Sequence, residues 1–336
     1  MKVPAAVTAT VTRSPIVSDK APDLVQKVTA LMLDGKGDLL PVSSFQPDGT
    51  WPTATTQWEK RSIAIDIQVW EEVLCIQCNK CALVCPHAAI RAKVYDPAEL
   101  EGAPGTFKSV DYKAKDFKGK KYTIQVAPED CTGCEICVRV CPAKDKSNPK
   151  HKSLDMAPQM PLREPERENY EFFLNIPEVD RTQVKLDVKG SQFLQPLFEY
   201  SGACEGCGET PYVKLLTQLF GDRALIGNAT GCSSIYGGNL PTTPYTVDAE
   251  GRGPAWSNSL FEDTAEFSYG MRLAVDQNRV VAGNLLKGLA PQIGQILVDE
   301  ILTAEQSGEI AIAEQRSRIA ALKDQLAQFD GPEAKQ

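Results

Sequence analysis

Eight of the eleven cysteines in this 336-residue chain fall in two runs whose spacing repeats to the residue: Cys75-x2-Cys78-x2-Cys81-x3-Cys85-Pro86 and Cys131-x2-Cys134-x2-Cys137-x3-Cys141-Pro142. Intervals of two residues let a turning backbone aim three thiolates and several N–H groups at one centre. The proline after the fourth cysteine turns the chain away from helix. Paired zinc sites fit poorly, because four tetrahedral ligands per ion would leave the regularly placed middle cysteines unexplained. A disulfide scaffold would need an oxidising compartment, and Met1 to Pro15 has no apolar core of the kind a secretion signal needs. In bacterial two-cluster iron–sulfur sequences the first three cysteines of a run wrap one 4Fe-4S cluster and the fourth completes the other. The pattern therefore assigns Cys75, Cys78, Cys81 and Cys141 to one cluster, and Cys131, Cys134, Cys137 and Cys85 to a second.

Length and an apolar content of 42% point to two folded units with at least one sizeable core. The balance of 36 basic and 44 acidic residues gives a net charge of −8, which argues against a nucleic-acid or anionic-membrane partner. No stretch approaches 18 consecutive apolar residues, so a membrane span is not expected, and the chain reads as cytoplasmic. Two histidines, His87 and His151, are too few to dominate the chemistry.

Residues 1–60, rich in Pro, Ser, Thr and Gly, read as an arm with one helix from Pro22 to Leu33 that Gly35 stops. Ser62 to Val69 alternates at period two and reads as a strand. Between the cysteine runs, Lys108, Lys113, Lys115, Lys118, Lys120 and Lys121 read as a solvated basic insertion or a docking patch for an acidic redox partner. Pro142 to Arg167 is too polar for a core and reads as a linker. Beyond it, Thr210-Pro211 opens a helix with an apolar face of Val213, Leu215, Leu216, Leu219 and Phe220, closed by Gly221. A strand at Arg223 to Gly227, a long loop from Gly227 to Gly253 and a helical remainder with a stripe of Ile312, Ile319, Leu322, Leu326 and Phe329 follow.

Three further cysteines, Cys204-x2-Cys207 and Cys232 in Gly231-Cys232-Ser233-Ser234, are fewer than a four-cysteine site requires. Spacing leaves two readings open, a metal site lacking its last ligand or a local thiol pair. Glu209 reads on composition as an acid at a helix start.

The runs Tyr200-Ser-Gly-Ala-Cys204-Glu-Gly-Cys207-Gly-Glu209-Thr-Pro, Gly227-Asn-Ala-Thr-Gly-Cys232-Ser-Ser-Ile-Tyr236 through Tyr245, and Gly251-Arg-Gly-Pro-Ala-Trp256-Ser-Asn-Ser-Leu-Phe261 closely resemble the pyruvate:ferredoxin (flavodoxin) oxidoreductase family. The likeness extends over nearly the whole chain, from Val3-Pro-Ala-Ala through both cysteine runs. It implies decarboxylation of pyruvate on thiamine diphosphate, transfer of single electrons through three 4Fe-4S clusters to ferredoxin or flavodoxin, and transfer of the acetyl group to coenzyme A. On matching positions, Cys204, Cys207 and Cys232 would ligate the cluster closest to thiamine. Glu209 and Cys232 would lie against thiamine diphosphate, and the paired runs would hold the medial and distal clusters. His87 and His151 match no family site.

The implied architecture is α+β: an arm over 1–60, a two-cluster ferredoxin-like domain over 61–142 with the basic insertion, a linker over 143–170, and a partial α/β thiamine-diphosphate-binding domain over 171–336. Family members also carry domains for pyruvate, coenzyme A and the aminopyrimidine half of thiamine, and a Gly-Asp-Gly segment with a downstream Asn for magnesium and diphosphate. No Gly-Asp-Gly occurs here. The third cluster's ligand set and the thiamine diphosphate and magnesium site are accordingly expected to be incomplete. The expectation is a fragment, truncated product or subunit that needs partner chains for turnover. The alternatives are a free-standing two-cluster electron carrier and the same enzyme class acting on another 2-oxoacid.

Overall fold

The computed structural model describes residues 15–335, so the readings made on Met1 to Ser14 lie outside the described residues. A π-helical stretch, Val25–Thr29, runs into α1 (Ala30–Leu33). Gly35 stops them at φ +71°, a left-handed position that glycine takes without strain. β1 (Asp66–Trp70) begins four residues later than the alternation suggests, because Ile63 and Ile65 are exposed and only Ile67 is fully buried.

Helices α2 (Lys80–Val84) and α3 (Ile136–Val140) each carry the third cysteine of a run, Cys81 and Cys137, in their first turn. The strands around them pair crosswise. β2 (Ile90–Tyr95), leaving the first run, is antiparallel to β4 (Lys121–Val126), which enters the second. β1, entering the first run, is antiparallel to β5 (Leu154–Pro158), beyond the second. The supposed insertion is therefore corrected: it is a sheet, with β3 (Val110–Asp111) on the other edge of β4. Every residue of β2 is buried, and Lys108, Lys113, Lys120 and Lys121 are tied to Trp70, Cys75, Asp96 and Asp111, which leaves Lys115 and Lys118 free of such anchors at the surface.

The linker over 143–170 is corrected as well, since β5 and most of α4 (Gln159–Asn175) fill it. Its composition is polar, but a strand needs only backbone to pair, and Leu154, Tyr170 and Phe173 are enough to dock the segment. Gln159 Nε2 donates to the Pro128 carbonyl at 2.7 Å, pinning the start of α4 beside the second cysteine run. One hydrophobic core takes in Trp70, Tyr112, Tyr122 and Phe117 together with Phe193, Leu194 and Tyr200, so packing runs on without a break past residue 171.

α5 (Thr210–Phe220) has the expected ends, with Pro211 in its first turn. Its expected apolar face is corrected. The buried positions are Thr210, Lys214, Thr217 and Gln218, whereas Leu216 and Phe220 are exposed. Hydrogen bonds turn the helix this way: Thr217 Oγ1 accepts from the Leu197 N–H at 3.2 Å, and Gln218 Nε2 donates to the Leu194 carbonyl at 2.8 Å. β6 (Leu225–Ala229) pairs parallel with β7 (Ala255–Ser259). The long loop between them is interrupted by α6 (Cys232–Ser234) and a π-helical stretch, Ile235–Asn239. α7 (Thr264–Ile293), α8 (Gln295–Thr303), α9 (Glu309–Leu326) and a short α10 (Pro332–Lys335) follow, with Leu322, Leu326 and Phe329 packed on Leu286, Leu289 and Val298. No described helix is long and apolar enough to cross a membrane.

Candidate metal centres

The two cysteine runs adopt one backbone shape twice. Gln77 and Gly133, each two residues after the first cysteine, have φ +58° and +76°; Asn79 and Glu135, two further on, have +57° and +60°. The fourth cysteines close the helices at φ −65° and −64° with ψ 117° in both. The crosswise pairing of strands then decides where those fourth thiols lie. β2 carries the chain from Cys85 to the strand that feeds Cys131, and β5 carries it from Cys141 to the strand that feeds Cys75. Two cavities result: one is lined by Cys75, Cys78, Cys81 and Cys141, the other by Cys85, Cys131, Cys134 and Cys137.

None of the eleven cysteines is in a disulfide. Among the described residues, no three Cys, His, Asp or Glu side chains converge as one metal ion would need. Each quartet instead surrounds a separate space, which suits a polynuclear cluster better than a single tetrahedral ion. Burial, and after it the neighbouring thiols, pushes Cys81 and Cys137 far up, and burial pushes Cys131 up to about 12. Thiols raised in this way resist ionising in a dry pocket, and a cationic iron core is what would make them thiolates. Backbone donors are already in place, with the Gln77 N–H 3.3 Å from Cys75 Sγ and that of Gly133 directed at Cys131. The donor set therefore fits two 4Fe-4S clusters.

Residues that spacing does not single out hold these turns. Asn79 accepts from the Tyr122 hydroxyl at 2.7 Å and donates to the Lys189 carbonyl at 2.8 Å. Gln77 bridges the Asp111 carbonyl and the Lys113 N–H at 2.9 and 2.8 Å. His87 lines the second cavity. Its Nδ1 lies 3.1 Å from the Ser201 carbonyl, which can only accept, so this nitrogen carries the proton. His151, by contrast, pairs with Glu71 at 2.7 Å at the surface.

Cys204 and Cys207 share one turn, closed by the Cys207 N–H donating to the Cys204 carbonyl at 3.1 Å. A Cβ built on Gly206 would sit 3.4 Å from Ile136 and 3.7 Å from Cys134, so this turn abuts the second quartet. Tyr236, one helical turn after Cys232, lies against Glu209 and Cys207; its hydroxyl is raised by burial and by the Glu209 carboxylate. Cys204, Cys232 and Glu209 are exposed. The three thiols occupy adjoining segments without closing on one ion-sized centre.

Residues 54–62 clasp this region to the cluster unit. The Ala54 N–H donates to the Tyr245 carbonyl at 2.6 Å, Thr55 Oγ1 accepts from the Thr243 N–H at 2.7 Å, and Thr56 Oγ1 donates to the Glu199 carbonyl at 2.9 Å. Within the triplet Glu59-Lys60-Arg61, Glu59 accepts from Thr242 at 2.8 Å and Lys60 reaches Asp130, the neighbour of Cys131, at 2.6 Å.

Residues 74–144 match the 4Fe-4S dicluster domain, and residues 10–64 match EKR, a domain of unknown function that takes in the Glu59-Lys60-Arg61 clasp. The chain is 61% identical over 92% of its length to a pyruvate-flavodoxin oxidoreductase of Nostoc sp., of which it covers 26%. It is 59% identical over 94% of its length to a probable pyruvate-flavodoxin oxidoreductase of Escherichia coli, again covering 26%. Against the pyruvate:ferredoxin oxidoreductase of Moorella thermoacetica it is 54% identical over 82% of its length, covering 23%. The chain thus spans about a quarter of the length of these relatives. What it matches is the portion of these oxidoreductases that, in this chain, includes the 4Fe-4S dicluster domain.

Proposed function

We propose that this chain is the iron–sulfur electron-transfer portion of a pyruvate:ferredoxin (flavodoxin) oxidoreductase. The observation that carries the reading is the exchange of fourth cysteines: strand pairing brings Cys141 to Cys75, Cys78 and Cys81, and Cys85 to Cys131, Cys134 and Cys137. Clusters held there would supply one-electron carriage between pyruvate decarboxylation and an external ferredoxin or flavodoxin. The protein's own part is to fix the thiolates, aim backbone N–H groups at sulfur and exclude water from both cavities. Cys204, Cys207 and Cys232 are proposed as ligands of a third cluster beside Cys134, with Glu209 and Cys232 facing thiamine diphosphate and its magnesium. The region from residue 171 onward is read as part of the domain that binds that cofactor, and pyruvate and coenzyme A as substrates met through further domains or partner chains.

Anaerobic reconstitution tests the reading. About eight iron and eight acid-labile sulfide per chain are expected for two cubanes, with any third cluster weakly held. Stoichiometric zinc without sulfide would refute it. The chain alone is expected to show no pyruvate-dependent dye reduction until the remaining domains are supplied.

A further inference from the structure

Lys214 is one of the most deeply buried side chains of the chain, at 2% exposure. It stands on α5, yet its ammonium reaches across to the end of α2. Its Nζ donates to the carbonyls of Ala82, of Leu83 at 3.1 Å and of Cys85 at 3.2 Å. All three acceptors are neutral, and they sit where a helix presents the negative end of its backbone dipoles. The other cations of this pocket are matched to acids: Arg91 to Glu199, and Lys93 to Glu178 at 2.7 Å. Apart from Arg91, which opposes its charge, the groups within electrostatic reach of Lys214 are the sulfurs of Cys85 and Cys81, which would be anionic as cluster ligands. These belong to different quartets.

We infer that Lys214 is a buried cation that raises the reduction potential of both clusters together, a role that rests on the assignment of Cys81 and Cys85 to separate 4Fe-4S centres. A core bound by four thiolates is anionic and gains another negative charge on reduction, so a fixed positive charge beside one ligand of each favours the reduced state at both. Burial matters here, since water would otherwise screen the ammonium. Lys214 touches neither cavity's centre and acts through the ligands, as a positioning and tuning residue. Because α5 follows directly on the Cys204-x2-Cys207 turn, the charge that poises the two quartets is delivered by the segment carrying the third site.

The test is a redox titration of the reconstituted chain near neutral pH, with each cluster followed by electron paramagnetic resonance. Removing a unit charge at an effective dielectric of about 20 and a separation of about 10 Å changes an equilibrium by roughly tenfold. Lys214→Gln, which keeps hydrogen-bond donors but not the charge, should lower the reduced-to-oxidised ratio of both clusters about tenfold at a fixed potential. For one electron that is a downward shift of about 59 mV. Lys214→Arg should restore the wild-type values. The inference is overturned if Lys214→Gln holds full iron and sulfide with unmoved potentials, or if only one cluster shifts. Loss of iron from Lys214→Gln and Lys214→Met alike would assign the residue to folding, and equally overturns it. Lack of iron in the wild-type chain would count against the cluster reading instead.

Discussion

The two cysteine runs place a non-glycine residue in the left-handed region at the same point, Asn79 and Glu135, but surround it differently, so glycine or alanine there should have opposite effects. Asn79 is 1% exposed and is the acceptor for the Tyr122 hydroxyl, itself fully buried. In Asn79→Ala that hydroxyl loses its partner, at about 1–3 kcal/mol. The Lys189 carbonyl also loses a donor, though the Gln192 N–H still reaches it at 3.3 Å, so this adds about 1 kcal/mol. Alanine at φ +57° adds about 1 kcal/mol more than asparagine. The expected destabilisation is about 3–5 kcal/mol. Glu135 is exposed, with Arg139 at 3.6 Å as its ion-pair partner among the described residues, worth well under 1 kcal/mol. Glu135→Gly relieves its backbone and should leave stability unchanged or raise it by up to about 1 kcal/mol. Urea unfolding followed by the visible absorbance of the clusters, with the rate of iron loss to a chelator, reads both variants. An unmoved midpoint for Asn79→Ala, or an equal loss in Glu135→Gly, would refute the account of how these turns are held.

Cys85→Ala should damage the cluster of Cys131, Cys134 and Cys137 and spare that of Cys75, Cys78 and Cys81, as judged by the separate paramagnetic signals; damage confined to its own run would show the exchange to be wrong. A pH effect is expected at the C-terminal helices. Burial alone would raise the Asp222 and Glu309 carboxyls, but hydrogen bonds and charges from Arg316, Arg223 and Arg181 hold both below the ordinary carboxylate value. A depressed carboxylate stabilises the fold above its unfolded pKa of about 4 and loses that contribution as pH falls through the lower folded value. Hydrogen-exchange protection of α9, which Arg316–Asp222 and Arg181–Glu309 pairs at 2.6 Å fasten to residues 181 and 222, should therefore fall below about pH 4. Asp222→Asn should show weakened protection already at neutral pH; full protection there would contradict the role of the pair.

The gathering of the eight thiols into two groups is legible because its cause is local: four thiols at fixed intervals, with a proline to end each turn, bring their own geometry. Even the exchange of Cys85 and Cys141 could be read from spacing, while the strands that bring it about could not. β5 lay in a segment dominated by Pro, Lys, Arg and Glu, where Leu154, Tyr170 and Phe173 were too sparse to announce a strand and a docked helix. The face of α5 was misread for a related reason. Periodicity favours Leu216 and Phe220 as the inner side, but the partners of Lys214, Thr217 and Gln218 are carbonyl and N–H groups of segments distant in sequence, which leave no trace in a hydrophobic pattern. Asn79 and Gln77 were hidden inside the cysteine run itself, where nothing in their type distinguishes a structural clamp from a spacer.

The clasp of residues 54–62 bears on the order in which the chain can assemble. Thr55 bonds to Thr243, 188 residues later, whereas Lys60 meets Asp130 only 70 residues on. A chain emerging from the ribosome can thus make the second contact long before the first exists. The cysteine-rich unit, whose core takes in residues up to Tyr200, can close while the partners of Ala54 and Thr55 are still to be synthesised. The early segment then waits as an open strap, and its closure over Thr243 and Tyr245 becomes the step at which a preformed cysteine-rich unit receives the segment that follows Cys232. Closing so long a loop is slow relative to the local hairpins, so assembly is staged by chain order, with the cysteine-rich core placed ahead of final docking.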